Sequence, residues 1–207
     1  MLLITRNLGR TDYQTTLKKM QVFTHSRTAE THDELWLTEH DSIYTLGLNR
    51  NQVRLPQNHI PVVNVDRGGK ITYHGLGQVI IYLMIDLARR GLKVRDLVDI
   101  IEGSMIELLA AHAIQATTQK NAPGVYINNK KIASVGLRLK KNCCYHGLSL
   151  NVDMDLTPFS AIDPCGYAGL EMTQMKDWNV EQTPHAVGEA LLSILENKLS
   201  KCKNEII

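Results

Sequence analysis

Runs of apolar residues, separated by polar and glycine-containing segments, predict three helices along the chain. Residues 11–23 carry apolar side chains at helical spacing behind a cap at Thr11 or Asp12. Residues 94–114 carry a longer apolar stripe of the same period. In residues 183–202 a threonine cap precedes a proline that suits the first position of an amphipathic helix. Each pattern implies a helix that packs one face against a core.

Shorter apolar runs between the helices predict β-strands. Residues 35–47 indicate two short strands on either side of a turn at Asp41–Ser42. Residues 60–66 indicate another strand. Residues 79–87 are almost continuously apolar, which is typical of a strand that is buried on both faces.

Two further segments show the alternation of paired strands. Residues 123–139 predict a hairpin, because Asn128 and Asn129 at its centre tolerate the positive φ of a tight turn. Residues 144–153 alternate, so one face of that strand is predicted to carry His146, Leu148, Leu150 and Val152.

Helices mixed with antiparallel hairpins predict an α/β (α+β) fold, with a mixed central sheet flanked by helices. A length of 207 residues is enough for one substantial core. No internal repeat or linker interrupts the pattern. We therefore expect residues 1–207 to form a single domain.

Composition and charge exclude several classes of function. The chain is 43% hydrophobic and 21% charged, as in ordinary soluble globular proteins. Its net charge of +2 does not favour nucleic-acid binding through a broad basic surface. No stretch predicts a membrane span, and the N-terminus lacks the pattern of a secretory signal. We expect a cytoplasmic protein whose cysteines stay reduced.

Residues 66–78, DRGGKITYHGLGQ, place four glycines between two predicted strands. Glycine in such a joint either permits tight turns or lets a ligand approach the backbone, and the sequence leaves both open. The segment lacks the ending of a P-loop, and a strand rather than a helix follows it, which argues against a nucleotide site. The same bend collects polar side chains that a structural turn does not require: Arg67, Lys70, Thr72, Tyr73 and His74.

Lys131 follows Lys130 on the second strand of the predicted hairpin, so their side chains point to opposite faces. Both could be solvated charges, as lysines beside turns usually are. Alternation also allows Lys131 to face a site, where a partly desolvated ammonium could stabilise a thiolate or exchange protons.

Cys165 lies between Pro164 and Gly166 in the stretch AIDPCGYAGLEMT. Proline fixes its own φ and restricts the preceding residue, while glycine lets the chain turn away at once. Such a bend can present a thiolate, a nucleophile suited to thioester chemistry. Buried thiols often behave as small apolar groups, so an inert Cys165 also stays open. The spacing of the four cysteines does not match a metal site.

These motifs resemble the lipoyl(octanoyl) transferases, the octanoyl-[acyl carrier protein]:protein N-octanoyltransferases. The resemblance runs from Leu8–Gly9 to Thr173, which is most of the chain. Each motif alone is weak, but the ordered set is specific. The segments that carry it include Arg67–Gly69, Thr72, His74–Gly75, Gly77–Gln78, Lys131–Ser134, Gly136, His146–Gly147, Asn151–Val152 and Pro164–Gly166.

The resemblance implies a fold like that of the biotin and lipoate protein ligases, and an acyl-enzyme mechanism. Cys165 would carry the octanoyl group as a thioester, and Lys131 would stabilise its thiolate and move protons in both half-reactions. The acyl pocket would be lined by Arg67, Gly68, Gly69, Lys70, Ile71, Thr72, Tyr73, His74, Ser134, Val135, Gly136, Gly147, Leu148 and Ser149.

The resemblance also implies two kinds of protein partner. Octanoyl-acyl carrier protein would be the donor. The acceptors would be the lipoyl domains of 2-oxoacid dehydrogenase complexes and the glycine cleavage H protein. Transfer from a thioester to an amide runs downhill, so no cofactor, ATP or metal ion is expected. We expect a monomer that binds neither nucleic acid nor membrane.

Two other functions stay open on the sequence. An ATP-dependent lipoate or biotin ligase on the same scaffold would need an adenylate-binding loop and would not need Cys165. A non-catalytic module could bind acyl chains. His74 could orient the substrate or Lys131, or could satisfy the turn. The oxyanion donors could be N–H groups near Cys165 or at Gly77–Gln78.

Overall fold

The computed structural model describes residues 2–202, apart from the side chain of Cys165. The helices are α1 (Tyr13–Ser26), α2 (Val94–Ala111) and α3 (Pro184–Lys201). The strands are β1 (Leu3–Arg10), β2 (Asp33–Glu39), β3 (Ile43–Leu46), β4 (Val62–Asn64), β5 (Ile71–His74), β6 (Gln78–Asp86), β7 (Thr117–Thr118), β8 (Gly124–Ile127), β9 (Lys130–Lys140) and β10 (Cys143–Asn151). Three short 3₁₀ helices are Thr157–Ala161, Pro164–Gly166 and Met175–Trp178.

Strand β6 lies in the middle of a seven-stranded sheet, because its apolar residues need cover on both faces. The strand order is β1-β2-β6-β10-β9-β8-β7, with β1 parallel to β2 and the other neighbours antiparallel. Helices α2 and α3 cover one face, where Ile101 and Leu191 join Ile81 in one apolar cluster. Helix α1 covers the other face, where Met20 packs with Ile80. The mixed sheet flanked by helices confirms the predicted fold class.

All three predicted helices form. The Asp12 side chain caps α1 by accepting the Thr15 N–H at 2.8 Å, and Thr183 caps α3 by accepting the Ala186 N–H at 3.2 Å. Helix α2 ends before the predicted residue 114, where Ala113 adopts a φ of +58°. None of the described helices combines the length and the apolar character that a membrane span needs.

A second sheet of three strands, in the order β4-β3-β5, lies beside the first. Residues 35–47 do form two strands, β2 and β3, but these belong to different sheets. Strand β1 was not predicted. It lies at the edge of the large sheet and is mostly exposed, so it needs few apolar residues and gives little signal.

The predicted hairpin forms between β8 and β9, with Asn128 and Asn129 at φ values of +47° and +66°. The prediction for residues 144–153 is wrong at His146, whose φ is +63°. Its side chain lies on the same face as Tyr145, because both donate hydrogen bonds to Asp66. Alternation assumes an extended backbone at every residue, and a positive φ breaks it.

Asp33 at the start of β2 ties several elements together. Its carboxylate accepts hydrogen bonds from Arg27 at 2.5 Å, from Arg90 at 2.6 Å and from the Asp86 N–H at 2.9 Å. Arg90 also donates to the Leu199 carbonyl in α3 at 2.6 Å. The carboxylate and both guanidinium groups are almost fully buried.

We expect Asp33→Ala to lower the free energy of unfolding by about 3–5 kcal/mol, because it leaves two buried guanidinium groups without their counter-charge. Urea denaturation measures the loss. Asp41→Ala is the matched control, since Asp41 pairs with Arg10 at an exposed site and should cost no more than about 1 kcal/mol. Equal effects of the two substitutions would contradict the structural role of Asp33.

Candidate active site

A cavity lies between the loop that precedes β5 and the central strands β9 and β10. The space between these elements, including solvent at its open mouth, is about 550 Å³. The residues that line it are Tyr13, Arg67, Gly68, Gly69, Lys70, Ile71, Thr72, His74, Ile80, Tyr82, Ser134, Val135, Gly136, His146, Gly147, Leu148 and Ser149.

The structure brings together every residue predicted to line an acyl pocket except Tyr73. The Tyr73 side chain points away from the cavity, into the small sheet. Its Oη lies 2.9 Å from Ser42 Oγ, and its ring contacts those of Tyr44 and Phe159. Thr72 and His74 alternate with Tyr73 along β5 and line the cavity, and Ile71 borders the cavity at the start of the strand. The prediction for Tyr73 is corrected accordingly.

Four lining residues were not predicted: Tyr13, Ile80, Tyr82 and His146. The sequence placed the first three at buried positions of a helix and a strand. Periodicity reports burial, and it does not distinguish the wall of a cavity from a packed core. His146 was assigned to the wrong face for the reason given above.

Arg67 anchors the glycine-rich loop over the cavity. Its guanidinium donates to the Thr45 carbonyl at 2.7 Å, to Thr45 Oγ1 at 2.8 Å and to the Gly68 carbonyl at 2.9 Å. The Gly68 N–H donates to the Leu137 carbonyl of β9 at 2.9 Å. These bonds join the small sheet to the edge of the cavity.

Buried polar side chains in and behind the cavity wall have their hydrogen bonds satisfied within the protein and are uncharged. His40 Nδ1 donates to the Thr11 carbonyl at 2.7 Å, and its Nε2 accepts from Tyr82 Oη at 2.7 Å. Burial lowers the pKa of His40 and raises the pKa of Tyr82 well above its usual value. Tyr13 follows the same rule, since burial raises its pKa to about 12.

His74 links the two sheets. Its Nδ1 donates to Gln78 Oε1 at 2.7 Å, and its Nε2 lies 3.4 Å from Thr45 Oγ1. Gln78 in turn donates to Asn151 Oδ1 at 2.9 Å. Burial lowers the pKa of His74 to about 3, so the ring is uncharged at neutral pH. Of the roles left open for His74, these contacts favour support of the glycine-rich turn.

Asp66 is the acidic group beside this neutral cluster. It accepts hydrogen bonds from His146 Nε2 at 2.9 Å, from Gln21 at 3.2 Å and from Tyr145 Oη. Burial opposes its ionisation, but the bonds from His146 and Tyr145 outweigh burial and hold the pKa of Asp66 well below its usual value. Burial lowers the pKa of His146 despite the nearby carboxylate. The pair is therefore a neutral imidazole that donates to a carboxylate.

Gly147 borders the cavity for a reason other than contact with a ligand. A Cβ at this position would lie 2.0 Å from the Ile81 carbonyl oxygen of the neighbouring strand. Glycine is thus required by the close approach of β6 and β10.

Lys131 lies outside the cavity lining and is fully buried. Its Nζ donates to the Pro123 carbonyl at 2.8 Å and to Tyr126 Oη at 3.1 Å, and lies 5.0 Å from the centre of the Tyr126 ring. Of the two readings of Lys131, a solvated edge charge is wrong. Lys130 does lie at the surface, where it pairs with Glu171 at 2.7 Å.

The segment that contains Cys165 is fixed at both ends. Before it, Arg54 donates to the Ser160 and Ile162 carbonyls at 2.5 and 2.7 Å. After it, residues 171–173 pair with the backbone of Lys131, whose N–H donates to the Glu171 carbonyl at 2.8 Å. The side chain of Cys165 lies outside the described residues, but the backbone of its 3₁₀ helix is placed between these anchors.

Lys70 brings this 3₁₀ helix to the cavity. A Cβ placed on Gly166 would lie 2.5 Å from Lys70 Cδ and 2.7 Å from its Nζ, so the lysine stem rests directly on the residue after Cys165. Lys70 also lines the cavity. Lys70 therefore lies between the cavity and the segment that carries the predicted nucleophile.

Two other sequence expectations concern N–H donors and metals. The Gly77 N–H donates to Glu39 Oε2 at 2.9 Å and the Gln78 N–H to the Gly75 carbonyl at 3.2 Å, so neither points to an oxyanion. Among the side chains that the structure describes, which do not include that of Cys165, no three His, Cys, Asp or Glu residues are arranged to hold a metal ion.

Comparison with known proteins identifies the family of the chain. The family model described as the lipoyl protein ligase A/B catalytic domain matches residues 12–196. The chain belongs to this family. An octanoyltransferase of Dechloromonas aromatica is 53% identical over 96% of the chain and 97% of its own length. This identity places the chain among the octanoyltransferases of the family and confirms the predicted enzyme class, an acyltransferase.

Solved structures of the lipoyl and biotin ligases share the fold. A lipoate-protein ligase A bound with ATP superposes with a TM-score of 0.77 at 15% identity, over 97% of the chain and 86% of its own length. A biotin protein ligase of Aquifex aeolicus in complex with biotin and ATP gives 0.60 at 13% identity, over 99% and 73%. The predicted likeness to these ligases is confirmed at the level of fold.

We expect Asp66→Asn to lower the free energy of unfolding of this family member by about 1–3 kcal/mol at pH 7, because its bonds from His146 and Tyr145 lose their charge. The folded pKa of Asp66 lies below the unfolded value of 3.8, so the difference between wild type and variant should hold above pH 4 and shrink below it. Urea denaturation at a series of pH values measures this. If the difference in unfolding free energy between wild type and variant stayed constant below pH 4, Asp66 would not be ionised in the folded protein as inferred.

Proposed function

We propose that the enzyme transfers an octanoyl group from octanoyl-acyl carrier protein to the ε-amine of a lysine on a lipoyl domain, with Cys165 as the covalent carrier. One observation carries the proposal: Lys70, which lines the cavity, also rests on the residue that follows Cys165. The similarity to octanoyltransferases suggests the ligand of the cavity, an acyl chain of eight carbons.

The cavity suits an uncharged tail. Tyr82, His74 and His146 already have hydrogen-bond partners in the protein, so an acyl chain need not supply them. Burying apolar chain in such a site is worth about 0.8 kcal/mol per CH₂. That energy is enough to hold an octanoyl group and to discriminate against much shorter chains.

The chemistry has two balanced half-reactions. In the first, the Cys165 thiolate attacks the donor thioester, the new carbon–sulfur bond forms, and the phosphopantetheine sulfur leaves and takes up a proton. In the second, the acceptor amine attacks the Cys165 thioester, an amide forms, and the thiolate is released while the amine loses a proton. The donor thioester is already activated, so no ATP is consumed.

Lys131 is proposed to stabilise the Cys165 thiolate and to move the proton in both steps. Its support is positional: its own backbone pairs with residues 171–173, which follow the 3₁₀ helix of Cys165 after a four-residue connection. A buried cation beside a thiol favours the thiolate. Its ordered contacts to Pro123 and Tyr126 suit a group that must keep one orientation.

The acceptors are proposed to be the lipoyl domains of 2-oxoacid dehydrogenase complexes and the glycine cleavage H protein. The donor and the acceptor are both proteins, and each must present its thioester or its lysine to the same sulfur in turn. An acyl-enzyme permits this, because the first protein can leave before the second arrives.

After mixing with octanoyl-acyl carrier protein, we expect mass spectrometry to find one octanoyl group on Cys165. Cys165→Ala should remove the adduct and lower transfer to a lipoyl domain by at least about 1,000-fold, because the nucleophile is lost. Cys202→Ala, a cysteine that donates to the Lys198 carbonyl in α3, is the matched control and should transfer normally.

Near-normal transfer by Cys165→Ala would disprove the covalent route. Lipoyl-domain modification with ATP and free lipoate, but none with octanoyl-carrier protein, would instead identify a ligase. Binding of the carrier protein without an adduct or transfer would indicate a passive acyl-binding module.

We expect Lys131→Ala to slow iodoacetamide alkylation of Cys165 by about tenfold at neutral pH, because one unit in a thiol pKa changes the thiolate fraction by that factor. Lys130→Ala is the matched control, since that neighbouring lysine is exposed and pairs with Glu171. Peptide mapping of the alkylated protein gives the rate at Cys165. An unchanged rate in Lys131→Ala would remove Lys131 from this role.

A further inference from the structure

We propose that Glu102 of α2 is a positioning residue for Lys131, and that it acts through the peptide group between Pro123 and Gly124. The inference rests on the proposed function, since it assumes that the orientation of Lys131 matters for the thiol. It concerns a buried acidic side chain that the chemistry above does not use.

One peptide group connects the two side chains. Its N–H, on Gly124, donates to Glu102 Oε1 at 2.7 Å. Its carbonyl, on Pro123, accepts from Lys131 Nζ at 2.8 Å. Because N–H and C=O of one peptide are rigidly coplanar, fixing one end fixes the direction of the other. A carboxylate on the N–H also polarises the carbonyl into a stronger acceptor.

Gly124 allows the Lys131 side chain to lie close to this peptide group. It adopts a φ of +137°, and a Cβ there would lie 2.7 Å from Lys131 Cε and 2.9 Å from its Nζ. The lysine stem therefore runs directly over this peptide. Any rotation of the Pro123–Gly124 peptide would displace Lys131 Nζ as well as its acceptor.

The position of Glu102 is unusual for a carboxylate. It lies on the buried side of α2, next to Ile101 and near Met105, where most of the buried residues are apolar. A buried carboxylate is costly unless it is hydrogen-bonded and its charge is opposed. The Gly124 N–H provides the bond, and Lys131 on β9 provides an opposite charge.

The charges around Glu102 support this pairing. Burial raises the pKa of Glu102, while the Gly124 N–H lowers it. On its own helix Arg95 favours the ion and Asp99 opposes it, and from the sheet Lys131 favours it. A Glu102 that only tied α2 to β8 would affect stability but leave the reactivity of the thiol unchanged.

The experiment compares three substitutions at Glu102 with Lys131→Ala. Glu102→Met removes the acceptor and the charge, whereas Glu102→Asp keeps the charge but withdraws the acceptor by one methylene group. Glu102→Gln keeps an acceptor oxygen in reach of the Gly124 N–H. Glu107→Gln is the matched control on the same helix, because Glu107 pairs with Lys198 at the surface. Alkylation of Cys165 and octanoyl transfer are both measured on folded protein.

We expect Glu102→Met and Glu102→Asp each to slow Cys165 alkylation and transfer about tenfold, with Glu102→Gln within about threefold of wild type. Combining Glu102→Met or Glu102→Asp with Lys131→Ala should add no further loss, since both act through one group. If the Met variant does not fold, the Asp variant decides. Wild-type alkylation and transfer in a folded Met or Asp variant would overturn the proposal, and so would full additivity with Lys131→Ala.

A second readout separates this proposal from the proposed function. If Lys131→Ala alone leaves alkylation unchanged, the role of Lys131 has failed. Unfolding equilibria then test, without any activity measurement, whether Glu102 and Lys131 are coupled through the Pro123–Gly124 peptide. They are measured for the Glu102→Asp, Lys131→Ala and double variants. Non-additivity of at least about tenfold in the unfolding constant supports the connection through the peptide. Additive unfolding constants overturn it.

Discussion

The burial of Lys131 is the constraint on which the candidate site depends. A fully enclosed amine must find acceptors within the protein, and the Pro123 carbonyl and Tyr126 hydroxyl supply them. Those acceptors impose further requirements. Position 124 must lack a side chain, because a Cβ there would meet both the Ala133 carbonyl oxygen and the Lys131 side chain. The Gly124 N–H is satisfied from the other direction by Glu102. The environment of Lys131 thus involves a turn, the first residue of β8 and a residue of α2.

The same lysine organises the chain beyond Cys165, since its backbone pairs with residues 171–173. On the far side of the site the arrangement is different. There His40, His74 and Tyr82 are uncharged, because burial disfavours their charged forms and neighbouring protein groups satisfy their polar atoms. The charged side chains of the cavity lining are Arg67 and Lys70, from the glycine-rich loop. Under the proposed function, the neutral part of the wall would face the apolar tail.

Much of the fold could be predicted from the sequence, because its helices and buried strands have strong periodicity. The lining of the cavity was also largely predicted, since the glycine-rich segment and the middle of β9 and β10 carry family-like motifs. Local pattern failed where a side chain departs from its strand's alternation. His146 turns to the opposite face at a positive φ, and Tyr73 points away from the cavity. Tyr13 and Tyr82 looked like core residues because a cavity wall is buried too.

Glu102 shows a different limit. Its place in an apolar stripe could be read from the sequence, but its partner is a peptide 22 residues away, brought close only by packing of α2 against β8. The fold itself does not decide the reaction, because ligases with 13–15% identity share it. In this chain Cys165 lies on a 3₁₀ helix whose flanking segments are anchored by Arg54 before it and by Lys131 after it. Under the proposed function, a short segment held at both ends would present one sulfur to two successive proteins while the cavity that would hold the acyl chain stays in place.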